Sequence, residues 1–251
     1  MNFSNPPETT PRNVTHKTFY SKLIKEEIGY NIYLPQDYAE DDEAYPVSYH
    51  LHGWKGCEST NIWAMEPTYQ GKRVITVFAN ATSSDNGYID GEIPVESVII
   101  NELIPHIDGA YRTVPTREGR SVSGFSMGGA GAFYYAVKYL DLFGSVTVYD
   151  GTFHHFMEIG KKTPFAPIEE TDALYDEMLR GLRHNEQDRI LHTIKQNADR
   201  IRGGLRIKIH AASDAGLICE NEIMHRYLDS LDIPHEYKVF EGVGHDLGKL
   251  I

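Results

Sequence analysis

A serine flanked by glycines is the part of the sequence best suited to chemistry. Residues 124–128 read Gly-Phe-Ser-Met-Gly, with β-type residues before them and small, helix-forming residues after them. A G-x-S-x-G turn between a strand and a helix holds its serine hydroxyl above the sheet, where the oxygen can attack a carbonyl carbon. The N–H of Met127 and the start of the helix lie beside that oxygen, where negative charge develops during acyl transfer. The pattern predicts Ser126 as a nucleophile and the Met127 amide as an oxyanion-hole donor.

A histidine near the carboxyl end of the chain is the candidate base for Ser126. His245 lies within Gly-Val-Gly-His-Asp at residues 242–246, after the last predicted strand. A serine nucleophile needs a neighbouring imidazole to take its proton, and the glycines allow the loop to bend toward Ser126. His154 and His155 are the nearest alternatives. They precede the favoured acid, whereas in proteins with this G-x-S-x-G turn the three residues follow one another along the chain as serine, acid, histidine. We therefore expect His245 to be the base.

Two aspartates compete for the role of the acid that orients the His245 ring. Asp214 follows the predicted strand at residues 205–211, one strand before His245, so that a short reach between two loops would join the two side chains. It could instead cap the helix that begins near Leu217, since aspartate is a common N-cap residue. Asp150, at the end of the preceding strand, is the alternative acid. The order of the motifs favours Asp214.

A glycine after the third predicted core strand supplies the second part of the oxyanion hole. In this kind of site the second donor is a backbone N–H from the loop after that strand. Gly53 frees the loop to turn inward, and the N–H of Trp54 is the predicted partner of the Met127 amide. Tyr69, Tyr88 and Trp54 are predicted to form an aromatic wall for the substrate, with Gly53 beside it.

Strands and helices alternate along the rest of the chain. Strands are predicted at residues 17–24, 28–34, 46–52, 73–79, 144–150, 205–211 and 235–240, and a further strand precedes the elbow. An amphipathic helix is expected to begin near Pro94 and to kink or split near Pro105. This alternation predicts an α/β fold with a mostly parallel central sheet and helices on both faces. Residues 1–14 are polar and proline-rich, and we expect a loose arm there.

The segment between about residues 152 and 203 does not fit the alternation. It contains two helical patterns and no strand, and Asn185 is the predicted N-cap of the second helix. Because the segment leaves from the end of a strand, we expect it on the same rim as Ser126, as a lid or pocket wall. The alternative is that these helices simply cover the sheet. In either case residues 1–251 are expected to form a single domain.

Composition excludes several classes of function. The 251 residues carry a formal net charge of −12, which argues against a nucleic-acid partner. No stretch of 18 apolar residues is present, and the N-terminus lacks a basic start and an apolar core, so we expect a cytoplasmic protein or an exported one without its leader. Cys57 and Cys219 are expected to be free thiols. No metal-ligand spacing such as H-E-x-x-H occurs, and we expect neither a metal nor a cofactor.

Several stretches together resemble one known family. They are Tyr33-Leu34-Pro35, residues 46–53, 101–105 and 111–113, and above all Gly-Phe-Ser-Met-Gly-Gly at 124–129. From about residue 17 to 246 the chain resembles the esterase D (Putative esterase) family of α/β-hydrolases, which includes feruloyl esterases, acetylxylan esterases and S-formylglutathione hydrolases. The resemblance implies an α/β-hydrolase fold, a Ser126–Asp214–His245 triad and oxyanion amides at Trp54 and Met127. The histidine motif departs from many members, because Leu247 replaces a tryptophan.

The expected function is a metal-free serine carboxylesterase. The resemblance favours feruloyl or acetyl esters of plant-polysaccharide sugars, so the expected partner is a small-molecule or oligosaccharide ester, with self-association as a further possibility. One alternative is a thioesterase similar to S-formylglutathione hydrolase, because Cys57 follows the predicted oxyanion loop as a cysteine does there. The other is a hydrolase-like module that binds a ligand without turnover, although such a module has no need of a complete, correctly ordered triad.

Overall fold

Eight strands form one sheet in the computed structural model, which describes residues 2–81, 87–155, 167–184 and 189–251. The strands are β1 (Val14–Ser21), β2 (Glu26–Tyr33), β3 (Val47–Leu51), β4 (Ile75–Ala79), β5 (Arg120–Phe125), β6 (Ser145–Tyr149), β7 (Arg206–Ala212) and β8 (Glu236–Phe240). Their order across the sheet is β1-β2-β4-β3-β5-β6-β7-β8. The β1–β2 and β2–β4 pairs are antiparallel and the other pairs are parallel. The predicted α/β class with a mostly parallel sheet is confirmed.

Helices connect most of the parallel strands. They are α1 (Glu66–Tyr69), α2 (Val95–Val98), α3 (Ile104–Ala110), α4 (Met127–Lys138), α5 (Thr171–His184), α6 (Arg189–Gln196), α7 (Ala198–Arg202) and α8 (Ile218–Ser230). A π-helical stretch, Ile99–Leu103, joins α2 to α3. Pro105 lies in the first turn of α3 and has no N–H to donate to the preceding turn. The predicted irregularity near Pro105 is confirmed, and it takes the form of this π-helical stretch.

The first hairpin turns earlier in the chain than its sequence suggests. The strands predicted at residues 17–24 and 28–34 place the turn near Glu26 and Glu27, but Ser21 pairs with Glu26, so the turn occupies residues 22–25. Lys25 adopts a φ of 63°, and the carboxylate of Glu102 accepts hydrogen bonds from the N–H groups of residues 22 and 23. The turn is thus held by its own hydrogen bond from the Lys25 N–H to the Ser21 carbonyl (2.8 Å) and by a contact with the distant helical segment, which local sequence does not reveal.

The N-terminal segment is fixed to the sheet, and the prediction of a loose arm is wrong for its described part. The carbonyl of Phe3 accepts hydrogen bonds from the N–H of Gly29 (2.7 Å) and from the Asn80 amide (3.0 Å). The N–H of Asn5 donates to the buried carboxylate of Glu58 at 2.5 Å. Since polar groups withdrawn from water need partners, these bonds hold the segment in place.

The described helices of the 152–203 segment pack on the body of the domain. Leu174 and Met178 of α5 and Ile190 and Ile194 of α6 are buried in the main hydrophobic core. Helix α5 contacts α8, and α6 contacts α4. These helices therefore cover the sheet, and a lid role for the segment stays a prediction. Asn185, the predicted N-cap, lies outside the described residues. None of the described helices is long and apolar enough to cross a bilayer.

The buried residue His50 gives the first testable prediction, which concerns the dependence of stability on pH. His50 on β3 accepts a hydrogen bond at Nε2 from the Asn61 amide (2.9 Å), so its Nδ1–H donates to the Ser123 hydroxyl (3.0 Å). Burial lowers the pKa of His50 to about 3. Between that value and the ordinary histidine pKa near 6.5, the unfolded chain binds a proton that the folded protein does not. The free energy of unfolding should therefore fall as the pH drops through this window, by about 1.4 kcal/mol per pH unit.

Urea denaturation at pH 7, 6, 5 and 4 measures this slope. His50→Gln keeps a polar side chain but does not titrate, and we expect its unfolding free energy to depend less steeply on pH than that of wild type. The comparison uses the slope because the substitution also changes absolute stability. Equal slopes for the two proteins would contradict a neutral, buried His50.

Candidate active site

Ser126 lies on a strained turn between β5 and α4, as the sequence predicts. Its backbone has φ 58° and ψ −121°, a conformation that residues other than glycine rarely adopt. The surroundings hold it there, because the Ser126 N–H donates to the carbonyl of Tyr149 (3.0 Å) and the Ser126 carbonyl accepts from the N–H of Thr152 (3.1 Å). The predicted elbow geometry is confirmed, with strain of the kind often stored at functional sites.

Two glycines of the motif are required by close backbone contacts. A Cβ at Gly124 would lie 2.0 Å from the carbonyl oxygen of Gly128, and a Cβ at Gly128 would lie 2.2 Å from the carbonyl oxygen of Leu51. Helix α4 therefore passes β5 and the end of β3 so closely that only glycine fits at these two positions. This crossing directs the start of α4 toward Ser126.

His245 reaches the elbow from the loop after β8. Its ring stacks on Phe125, with 4.4 Å between ring centroids and 25° between planes. Its Nδ1 lies 2.6 Å from Oδ2 of Asp150. A carboxylate only accepts at this distance, so Nδ1 carries the proton and Nε2 keeps a lone pair that can accept one. The structure thus brings His245 and the elbow together, as the sequence predicts.

The acidic partner of His245 is Asp150, and the predicted contact of Asp214 with His245 is wrong. Asp150 is fully buried, and its other carboxylate oxygen accepts from the N–H of Ala212 at 3.3 Å. Phe125 and Tyr149 are register partners on neighbouring strands, so the next residues, Ser126 and Asp150, lie side by side. Asp214 follows β7, one strand farther from the elbow.

Asp214 has a different position and different contacts. Its side chain is exposed and accepts a hydrogen bond from the Ser213 hydroxyl at 2.7 Å. Its N–H donates to the carbonyl of Val243 (2.9 Å), and the N–H of Gly242 donates to the Ser213 hydroxyl (2.8 Å). This segment therefore contacts the loop that carries His245 through backbone and serine groups, and not through the Asp214 carboxylate.

The predicted oxyanion loop lies against the elbow. An added Cβ at Gly53 would stand 3.3 Å from Cβ of Ser126. Gly53 and Gly56 close a turn through a 3.0 Å backbone hydrogen bond, with Trp54 inside the turn. Within the described residues the Trp54 N–H has no hydrogen-bond acceptor, and the Met127 N–H belongs to the first helical turn, where no intrahelical acceptor exists. Neither predicted donor therefore has an acceptor in the part of the chain that the structure describes.

The predicted aromatic wall is wrong for Tyr69 and Tyr88, which are completely buried. Tyr69 packs against other aromatic rings of the core and donates to the carbonyl of Ile62 (2.6 Å). The Tyr88 hydroxyl donates to the carbonyl of His52 at 2.8 Å and so stabilises the start of the predicted oxyanion loop. Trp54, at 60% exposure, is the member of the predicted wall that faces solvent.

His154, an alternative candidate for the base, is paired with a different carboxylate. His154 lies 2.8 Å from Oε1 of Glu220, whose side chain is buried and also accepts from the His154 N–H. This pair ties the chain after β6 to α8. The side chain of His155 is outside the described residues.

The fold and the elbow define the class, and comparison with known proteins defines the family. The mostly parallel sheet with a strand–serine–helix elbow is an α/β-hydrolase fold. Residues 21–248 match the model of the family described as Putative esterase, and the chain belongs to this family.

Two curated relatives match part of the chain. An esterase of Mycobacterium tuberculosis is 32% identical over 156 residues, which cover 57% of this chain and 33% of the relative. The endo-1,4-beta-xylanase/feruloyl esterase of Xylanibacter ruminicola is 28% identical over 151 residues, which cover 53% of this chain and 20% of the relative. The matches thus span a third or less of these longer proteins.

Solved structures share the fold across nearly the whole chain. A ferulic acid esterase superposes with a TM-score of 0.72 at 21% identity, over 93% of this chain and 91% of that one. An S-formylglutathione hydrolase from Staphylococcus aureus superposes with a TM-score of 0.71 at 15% identity, over 93% and 92% of the two chains. At these identities the likeness concerns the fold.

Proposed function

We propose that this protein is a serine carboxylesterase in which Ser126, His245 and Asp150 form the catalytic triad. One observation carries the proposal: next to the strained serine of an elbow, the ring of Phe125 stacks on an imidazole that is hydrogen-bonded to a buried carboxylate at 2.6 Å. A backbone in this conformation persists only where its surroundings hold it, and such strain is concentrated at functional sites. Membership of an esterase family supports the same reaction.

The reaction follows from the positions of the side chains. Oγ of Ser126 attacks the ester carbonyl carbon, and Nε2 of His245 takes the hydroxyl proton. The ester C–O bond then breaks, the alcohol leaves with that proton, and an acyl group remains on Ser126. Water repeats the sequence, giving its proton to His245 and releasing the carboxylic acid. Asp150 fixes the tautomer of His245 throughout and favours the imidazolium that forms in each half-reaction.

The backbone supplies the oxyanion hole in this proposal. The N–H groups of Met127 and Trp54 are the donors that hold the negative oxygen of the tetrahedral intermediate. Losing one such donor costs about 3 kcal/mol of transition-state stabilisation in a well-studied serine hydrolase. The dipole of α4, whose first residue is Met127, adds favourable potential at the same place.

The proposed substrates are feruloyl or acetyl esters of plant-polysaccharide sugars. The Xylanibacter ruminicola relative is named an endo-1,4-beta-xylanase/feruloyl esterase, and a ferulic acid esterase shares the fold. Trp54 belongs to the predicted oxyanion loop, and the face of its exposed indole that is not covered by the Lys55 ammonium offers a flat surface for an aromatic acyl group. No metal or cofactor takes part in the proposed chemistry.

A substrate panel tests this proposal. Purified protein is assayed with 4-nitrophenyl acetate, methyl ferulate, acetylated xylo-oligosaccharides and S-formylglutathione, and Ser126→Ala is assayed in parallel. We expect hydrolysis of the oxygen esters, with kcat/KM highest on feruloyl or acetyl sugars. Preference for S-formylglutathione would replace the substrate assignment with a thioesterase, and inactivity on the whole panel would indicate a binding module.

Phe125 should position the base, and this gives a second prediction. Its ring provides the flat face on which His245 stacks, and aromatic pairs of this kind contribute about 0.5–1.5 kcal/mol. Phe125→Leu should therefore lower kcat by about 2- to 10-fold with little change in KM, whereas Phe125→Tyr, which keeps the ring, should stay close to wild type. Steady-state kinetics on 4-nitrophenyl acetate distinguish the two. A raised KM with unchanged kcat in Phe125→Leu would mean that the ring contacts substrate instead.

A further inference from the structure

Three side chains with metal-binding groups meet at the edge of the sheet opposite to Ser126. His225 and Asp229 lie one helical turn apart on α8, and His235 directly precedes β8. One ligand atom from each of the three lies within 4.8 Å of the other two. Because β8 runs parallel to β5, β6 and β7, its first residue lies at the amino end of the strands, whereas Ser126 lies at the carboxyl end. The cluster is therefore separate from the proposed active site.

The two histidines of the cluster are joined by a hydrogen bond. Nδ1 of His235 lies 2.8 Å from the carbonyl oxygen of Ile233, so Nδ1 carries a proton and Nε2 a lone pair. That lone pair faces Nδ1 of His225 at 2.7 Å. The other nitrogen of His225, Nε2, lies 3.5 Å from the carboxylate of Asp229. A neutral His225 satisfies the contact with His235 through its Nδ1–H, and its Nε2 then faces the Asp229 carboxylate with a lone pair and no proton.

We propose that His225, His235 and Asp229 bind a divalent transition-metal ion of the Zn²⁺ type. Two imidazole nitrogens and one carboxylate oxygen form a donor set that suits Zn²⁺ better than Ca²⁺ or Mg²⁺, which prefer oxygen. An ion between Nδ1 of His225 and Nε2 of His235 takes the place of the shared proton. The carboxylate of Asp229 neutralises part of its charge, and because Asp229 is exposed, water can complete the coordination.

The fit requires a small shift of His225 and a turn of the exposed Asp229 side chain, which faces Nε2 of His225 at 3.5 Å, toward the ion. Bonds of about 2.0–2.1 Å in a tetrahedral arrangement separate two ligand nitrogens by about 3.3 Å, compared with 2.7 Å between the two ring nitrogens here. His225 is partly exposed and can shift, while His235 is held by its hydrogen bond to Ile233. A bond from the non-ligating nitrogen to a backbone carbonyl is a typical outer-shell contact of a metal-binding histidine.

Backbone hydrogen bonds and a ring stack hold the elements around the cluster together. The N–H of Ile233 donates to the carbonyl of Leu228 (3.0 Å), and the N–H of Asp232 donates to the carbonyl of Asp229 (2.9 Å), so a tight turn joins α8 to the next segment. The ring of His225 stacks on Tyr237 of β8 at 4.3 Å between centroids. A bound ion would tie the end of α8 to β8, a strand at the edge of the sheet. Its role would be structural.

Calorimetry and thermal unfolding with Zn²⁺ test the site directly. Protein freed of metal with EDTA and then desalted is titrated with ZnCl₂, and its Tm is measured with Zn²⁺, Mg²⁺ or Ca²⁺. The variants are His225→Gln and Asp229→Asn, both at exposed or partly exposed positions. His192→Gln on α6 removes a histidine outside the cluster and serves as the matched control. We expect one Zn²⁺ per chain in wild type and in the control, and a rise in Tm of about 5 °C at saturation.

The variants decide the assignment. Binding at least tenfold weaker in His225→Gln and in Asp229→Asn, with no rise in Tm from Mg²⁺ or Ca²⁺, is the expected result. Equal Zn²⁺ binding in all four proteins would place the ion elsewhere and overturn the proposal, as would the absence of binding in wild type. Neither measurement depends on ester hydrolysis, so this test is independent of the proposed function.

Discussion

Ser126→Ala should fold normally and lose ester hydrolysis by about six orders of magnitude in kcat. Removal of the nucleophile from a serine-hydrolase triad costs about this much, because the other catalytic groups act only through that oxygen. The backbone hydrogen bonds that hold residue 126 at φ 58° do not involve the hydroxyl. The substitution therefore removes the attacking oxygen and leaves the elbow supported. The loss is measured as the rate of 4-nitrophenyl acetate hydrolysis. The variant is assayed at high enzyme concentrations, so that a low residual rate can be detected.

A second serine on the same strand provides the control. Ser121, near the start of β5, is half-buried, and its hydroxyl lies 3.4 Å from the carbonyl of Val47, far along the strand from the elbow. Ser121→Ala should keep kcat close to wild type. A fluorophosphonate probe should label wild type and Ser121→Ala but not Ser126→Ala. Activity of Ser126→Ala within tenfold of wild type would remove Ser126 from the mechanism.

The elbow could be predicted because its requirements are local. Gly124 and Gly128 are required by contacts within a few residues of Ser126 and with the end of β3, so the motif itself contains most of the information. His245 could be predicted for a similar reason, since it follows the last strand in a loop rich in glycine. The first prediction rests on a local motif, and the second rests on the order of the elements along the chain.

The partner of His245 could not be predicted in the same way, because it depends on which strands are neighbours. Asp150 and Asp214 each follow a parallel strand, and hydrophobic patterns do not reveal that β6 is adjacent to β5 while β7 is one strand farther away. The burial of Tyr69 and Tyr88 could not be predicted from the sequence for a related reason. Both residues lie outside the long strands and helices, and only the fold shows that their rings point into the core.

Asp150→Asn should lower kcat by up to about 10⁴-fold while leaving the fold intact. An amide at this position can turn its NH₂ group toward Nδ1 of His245, which then favours the tautomer with the proton on Nε2, where it cannot accept one from Ser126. The amide oxygen can still accept from the N–H of Ala212, which donates to the carboxylate in wild type. Asparagine also tolerates the positive φ of 49° at this residue better than most side chains.

Asp214→Asn is the matched control for this loss and distinguishes the two aspartates. Its side chain is exposed and accepts from the Ser213 hydroxyl, a bond that an amide oxygen can also accept, so kcat should stay within about threefold of wild type. Both variants are assayed on 4-nitrophenyl acetate, with circular dichroism and Tm confirming that each is folded. If Asp214→Asn shows the larger loss, the acid acts from β7 despite the 2.6 Å contact of Asp150 with His245. Equal, small losses would mean that the imidazole is oriented mainly by its stacking on Phe125.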